Sequence, residues 1–278
     1  LFKMVRSRKR ELSKTVGRRN HTYTTKTFKR IKEYKGLLFM DTTMAQQILG
    51  EFIGTLVLIL LGDGVVAADV LKKTKSENSG WVLITFGWGL AVTIGVFVSG
   101  YLSPAHLNPA VTLGMAMAGD LPWGSVLPYF LAQMAGAIVG ATLVWIHYKP
   151  HFDETEDQMT KLAVFSTAPA IRDTMSNLIG EVIGTFVLVF GILAFGRGSF
   201  TDGLNPIVVG LLIVSIGMSL GGTTGYAINP ARDLGPRIAH QILPISGKGD
   251  SDWGYAWIPV VGPLLGGAIA ALLFGLIP

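Results

Sequence analysis

Cysteine is absent from the 278 residues, which excludes disulfides, thiolate nucleophiles and Cys-based metal sites. Charge is scarce as well: 15% of the residues are Asp, Glu, Lys or Arg, against about 25% in soluble domains. A chain of this length folding in water needs polar helix faces, and there are too few charges to build them. What is abundant fits a bilayer. Half of the residues are hydrophobic and 35 are glycine, a residue commoner in membrane helices than in soluble ones. The composition is that of an integral membrane protein.

The net charge of +5 is unevenly placed. Residues 1–40 hold 13 of the 23 Lys and Arg and two acids, Glu11 and Glu33, so this stretch alone is +11. A nucleic-acid partner would have to be bound by these forty residues, which carry neither an aromatic stacking pattern nor a domain signature; none is expected. The stretch has no apolar run, so it is neither a signal peptide nor a core. Residues 1–43 are expected to be a disordered basic leader. Residues 1–39 are either upstream sequence read into the protein or a cytoplasmic tail that binds anionic lipid.

Beyond Met44, apolar segments alternate with short polar loops. A membrane-crossing helix needs about 20 apolar residues, and six segments meet this: 46–69, 81–101, 122–147, 178–196, 204–221 and 255–276. Two apolar pieces, 108–118 and 229–240, are half that length. The chain also repeats itself. Gly50-Glu51-Phe52-Ile53-Gly54-Thr55 returns 130 residues later as Gly180-Glu181-Val182-Ile183-Gly184-Thr185, and Asn108-Pro109-Ala110 returns 121 residues later as Asn229-Pro230-Ala231. The halves, about 44–147 and 178–278, are expected to be joined by a loop over 148–177. Each holds three spans, an odd number, so the second half enters the membrane from the opposite side. Inverted repeats place their site near the midplane, at broken or half-length helices.

Asn favours the helix N-cap and Pro the first helical position, so each Asn-Pro-Ala reads as a helix start. Two half-helices entering from opposite faces would meet N-terminus to N-terminus, each end partly positive. With each Asn carbonyl held by its own helix, each NH₂ is expected to be free to donate into a pore. An oxygen accepting from both Asn108 and Asn229 turns its hydrogens away from the centre, which breaks the water chain a proton would need. The positive helix ends repel cations.

From about Met44 to Pro278 the chain resembles the aquaporins, or major intrinsic proteins, and most closely the bacterial glycerol facilitators. The resemblance rests on Ala105-His106-Leu107-Asn108-Pro109-Ala110-Val111-Thr112 and Asn229-Pro230-Ala231-Arg232-Asp233. It implies an all-α fold of six tilted transmembrane helices and two re-entrant half-helices, assembled as a homotetramer with one pore per subunit. It also implies a selectivity filter of Trp88, Gly217, Tyr226 and Arg232. There Gly217 would leave space, Trp88 and Tyr226 would offer an apolar corner to a carbon backbone, and Arg232 would donate to hydroxyls. Tyr226 stands where the best-known glycerol facilitators have Phe, and Pro104 where Gly is frequent. The carbonyls of Pro104, Ala105, His106, Leu107, Gly225, Tyr226, Ala227 and Ile228 are expected along the pore. Asp233, Arg237 and the pair Pro259-Val260 point to the glycerol branch.

Glu51 and Glu181 would be costly against lipid. By the same resemblance they are buried acceptors that hold the loops before the half-helices. The pairs Gly50/Gly54, Gly136/Gly140 and Gly180/Gly184 permit close helix contact. His147 and His151, with Asp153, Glu154, Glu156 and Asp157, are expected in a solvated loop, because Pro150 should interrupt the helix that would align them. No metal site, cofactor or enzymatic nucleophile–base pair is expected.

The expected function is a passive channel for glycerol, water and other small uncharged solutes that excludes protons and ions. The alternative is an ion-coupled secondary transporter. The setting is the cell membrane, with a cytoplasmic N-terminus favoured by the basic leader and opposed by Lys72, Lys73 and Lys75.

Overall fold

The computed structural model describes residues 42–277, and residues 1–41 of the basic leader lie outside them. From Met44 onward the chain forms one compact unit. Its helices are α1 (Met44–Val70), α2 (Trp81–Ser99), α3 (Pro109–Ala118), α4 (Val126–Glu154), α5 (Gln158–Phe165), α6 (Thr174–Arg197), α7 (Leu204–Leu220), α8 (Pro230–Ile242) and α9 (Ile258–Gly275). A 3₁₀ turn, Trp123–Ser125, leads into α4. Among the described residues no strand occurs.

The helices α1, α2, α4, α6 and α9 are long and apolar enough to cross a membrane. With 17 residues, α7 is one short of the shortest of these, and at 1.5 Å per residue it still approaches the hydrocarbon thickness. The half-helices α3 and α8 have 10 and 13 residues. The repeat pairs α1 with α6, α2 with α7, α3 with α8 and α4 with α9. In each half the first span packs on the last, α1 on α4 and α6 on α9, while α2 and α7 pack on each other across the repeats. Each half-helix also leans on a span of the other half: α3 on α9 and α8 on α4. The two halves therefore share one core.

Small residues set the closest crossings. A Cβ at Gly140 would stand 2.6 Å from the Leu56 carbonyl, and at Gly89 or Gly210 it would stand 2.7 Å from the other's carbonyl oxygen. Side chains cannot enter there, so backbones touch.

The sequence reading is corrected in the linker. Pro150 does not interrupt α4, which runs through it to Glu154. Tertiary contact overrides the proline: Phe152 is fully buried against Phe165, 5.6 Å between ring centroids, and Nδ1 of His151 donates to the Lys72 carbonyl. Lys149 and Asp153 add an i,i+4 pair at 2.8 Å. Nor is 148–177 a bare loop, for it holds the end of α4 and all of α5. Asp157 caps α5, accepting from the Thr160 hydroxyl and backbone N–H, which together hold its carboxyl below the ordinary value. Leu162, Val164 and Phe165 turn inward. This packing brings the linker to α8, where the site lies.

Candidate functional site: a cavity at the junction of two half-helices

Asn108 and Asn229 are the N-caps of α3 and α8, each followed by Pro at the first position. Asn108 Oδ1 accepts from the Ala110 N–H at 2.8 Å, and Asn229 Oδ1 accepts from those of Ala231 at 3.0 Å and Arg232 at 3.3 Å. Pro109, Ala110, Pro230 and Ala231 are buried in these first turns. The amide NH₂ groups are not wholly free, as the sequence reading has them. Asn108 Nδ2 donates to the Ile228 carbonyl at 2.8 Å and Asn229 Nδ2 to the Leu107 carbonyl at 2.9 Å. These reciprocal bonds clasp the two half-helices and leave one N–H on each amide.

The loops before the half-helices adopt a conformation that L residues rarely take. Ala105, Leu107, Tyr226 and Ile228 have φ of 54°, 53°, 39° and 43°. Each such residue costs about 1–3 kcal/mol and persists only where its surroundings enforce it. Here two carboxylates do so. Glu51 accepts from the backbone N–H groups of His106 at 2.9 Å and Leu107 at 2.8 Å, from Ser103 Oγ at 2.8 Å and from Gln133 Nε2 at 2.8 Å. Glu181 accepts from Ala227 N–H at 3.0 Å, Ile228 N–H at 2.8 Å and Thr224 Oγ1 at 2.7 Å. The loop N–H groups thus point to the acids, and the carbonyls are left for the other side.

On that other side lies a cavity of about 320 Å³. Its wall includes Pro104 through Asn108, Tyr226 through Asn229, Trp88 and Arg232. Gly225, expected on the wall, is not part of it and packs on Thr167 instead. The carbonyls of Leu107 and Ile228 are already occupied by the asparagines. An apolar face comes from Val92 and Val96, one and two turns beyond Trp88, and from Val209 and Ile213, two and one turns before Gly217. Sequence reasoning missed these four, although i,i+4 spacing from Trp88 and Gly217 would have found them. Asp120 and Asn205, which also line the cavity, carried no sequence signal.

Arg232 is 6% exposed, with its guanidinium carbon 4.0 Å from the centre of the Trp88 ring. Its Nη1 donates to the Phe165 carbonyl at 3.3 Å, so the linker holds the residue in place. Tyr226 meets Trp81 edge-on at 5.7 Å, and Trp81 Nε1 donates to the Gly217 carbonyl at 3.0 Å. Gly217 does not open the cavity, contrary to the sequence reading. The space where its Cβ would stand is taken by Tyr226, whose Cζ lies 2.8 Å away, and by Thr85. Gly217 is the seat of the tyrosine ring.

Asp233 and Arg237 form a fully buried pair at 2.8 Å on α8. Asp233 also accepts from the Thr167 N–H and hydroxyl, while Arg237 donates to the carbonyls of Thr167, Ser251 and Asp252. They tie two loops to α8 and do not touch the cavity. Pro259 and Val260 lie in the first turn of α9, also away from it.

Paired half-helices, clasped at their N-termini beside a cavity within a bundle of membrane-length helices, define a membrane channel. The sequence model of the major intrinsic protein family matches residues 39–274, and the chain belongs to that family. It is 63% identical over 239 residues to "Glycerol uptake facilitator protein 3" of Lactiplantibacillus plantarum, which covers 86% of this chain and 100% of that protein. It is 64% identical over 233 residues to a glycerol uptake facilitator protein of Streptococcus pneumoniae, covering 84% of this chain and 100% of the relative. Among solved structures, the aquaglyceroporin of Plasmodium falciparum superposes with a TM-score of 0.75 at 31% identity, covering 84% of this chain and 97% of that one. The family is one of channels, not of enzymes.

Proposed function

We propose that this chain conducts glycerol, water and other small uncharged solutes passively, with Trp88, Tyr226 and Arg232 as its selective constriction. The observation that carries the reading is the two-sided wall. Trp88, Tyr226, Val92 and Val209 face a carbon backbone, while Arg232, Asn108 and Asn229 offer N–H donors to its hydroxyls. In this reading Glu51 and Glu181 set the loops and are not available to a coupling ion, because loop donors occupy them. Reconstituted protein should therefore equilibrate glycerol at a rate linear in its gradient. Saturation, or accumulation against a gradient when an ion gradient is imposed, would instead mark a coupled transporter.

Residues 1–43 are proposed to lie outside the channel, and the family match, which begins at residue 39, leaves out the first 38 of them. A homotetramer is proposed from the family resemblance.

The N-terminus is proposed to be cytoplasmic, which puts the α1–α2 loop outside. Lys72, Lys73 and Lys75 in that loop oppose this by the positive-inside tendency, and the pairing of Lys72 with Glu77 and of Lys73 with Glu154 leaves them charged. Because the chain has no cysteine, Lys75→Cys supplies a single label site. A membrane-impermeant maleimide should modify it in intact cells. Labelling only after permeabilisation would reverse the orientation.

A further inference from the structure

Asp63 stands two turns before the C-terminal end of α1 and is fully buried. Its Oδ1 lies 3.5 Å from Arg232 Nη1, and its Oδ2 meets no donor among the described residues. The preceding Gly62 gives Trp88 its seat, since a Cβ there would collide with the indole. One dipeptide of α1 therefore abuts both Trp88 and Arg232. Asp233, the next residue of α8, is committed to Arg237 and Thr167. Among the described residues, Asp63 is the acid within ion-pair distance of Arg232.

The inverted repeat supplies an internal control. Shifted by 130 residues, Asp63 falls on Leu193; shifted by 121, Arg232 falls on Val111. Both symmetry mates are apolar and buried. Each half contributes one charge to the pair Asp63/Arg232, and the symmetry-related pair Leu193/Val111 carries neither, as expected if the two residues answer each other. A buried charge deprived of its partner is costly, whereas replacing a whole buried pair by apolar residues is often neutral.

We propose that Asp63 is the counter-ion of Arg232: it positions the guanidinium over Trp88 and makes the constriction electrically neutral, so that small anions meet no unpaired cation there. The inference rests on the reading of Arg232 as part of the constriction. It alters what loss of the arginine should do. Arg232→Val removes a positive charge and also leaves Asp63 without its partner, so the site becomes negative and should admit cations.

The test uses the full chain in liposomes, with tetrameric, folded protein verified for each variant and with fluxes of glycerol, a larger polyol, nitrate and potassium measured. Asp63→Asn should raise nitrate flux at least about tenfold without raising potassium flux, because a cleft of one sign concentrates its counter-ions by about 10–1,000-fold. Arg232→Val should pass the larger polyol and raise potassium flux. The double variant Asp63→Leu/Arg232→Val, which copies Leu193 and Val111, should return both ion fluxes to the wild-type level. Should the single variants fold poorly, the double should yield more folded protein than either. If Arg232→Val passes the larger polyol while Asp63→Asn folds and leaves nitrate flux unchanged, the constriction stands and the counter-ion assignment falls. If Arg232→Val folds and changes no flux, the constriction itself is misassigned and the inference falls with it.

Discussion

Glu181→Leu is expected to yield little or no folded channel. The side chain is 1% exposed and accepts from Thr224 Oγ1 and from the backbone N–H groups of Ala227 and Ile228. Leucine would bury these three donors without acceptors, at about 1–3 kcal/mol each. The sum, roughly 3–9 kcal/mol, is comparable to the whole stability of a typical domain, about 5–15 kcal/mol. The carboxylate also opposes the strain of Tyr226 and Ile228, which sit at positive φ. Without it the loop relaxes and Ile228 no longer presents its carbonyl to Asn108. Glu181→Gln should be milder, since it keeps one acceptor oxygen but turns an NH₂ toward a backbone N–H. Thermal unfolding in detergent reads the difference, with the order wild type, Gln, Leu. A leucine variant with the wild-type midpoint and glycerol flux would show that the loop holds itself.

Much of this architecture was legible because bilayer chemistry leaves strong marks. Segment length and apolarity mark the spans, and Asn-Pro-Ala marks half-helix starts because cap and first-turn chemistry are local. What escaped the sequence was set by tertiary contact. The continuation of α4 through Pro150 depends on the burial of Phe152 against Phe165, residues thirteen apart with no periodic signal between them. The role of Gly217 was misread for a related reason. Absence of a side chain reads as open space, but which neighbour fills that space is decided by the course of the 221–228 loop. Asp63 was passed over because a lone acid in a span shows no motif. Only its distance to Arg232, 169 positions along the chain, gives it a meaning.

The seating of Tyr226 on Gly217 determines how the constriction should respond to mutation. A methyl group at position 217 would stand 2.8 Å from Tyr226 Cζ, 2.9 Å from Thr85 Cγ2 and 3.0 Å from the Tyr226 hydroxyl. Real Cβ contacts are not that close, so something must shift. Thr85 is fully buried in α2, and behind the tyrosine stand Trp81 and Gly221, so the free direction for the ring is into the cavity it lines. Gly217→Ala should therefore narrow the pore without placing any atom of its own in it. One methylene in a fitted apolar site changes discrimination by about 10–200-fold, so glycerol permeability should fall by at least about tenfold. Water, being narrower, should lose much less. Gly217→Phe should go further, displacing Tyr226 and straining the loop that Glu181 holds, while Trp88→Phe should be mild because it keeps an apolar face. Gly222→Ala is the control, since a Cβ there meets no atom within 4 Å, and it should leave both permeabilities unchanged. Stopped-flow glycerol and water permeabilities in matched liposomes decide the matter. An unaltered glycerol-to-water ratio in folded Gly217→Ala would mean that Tyr226 does not bound the passage, and the selective step would have to be sought elsewhere along the cavity.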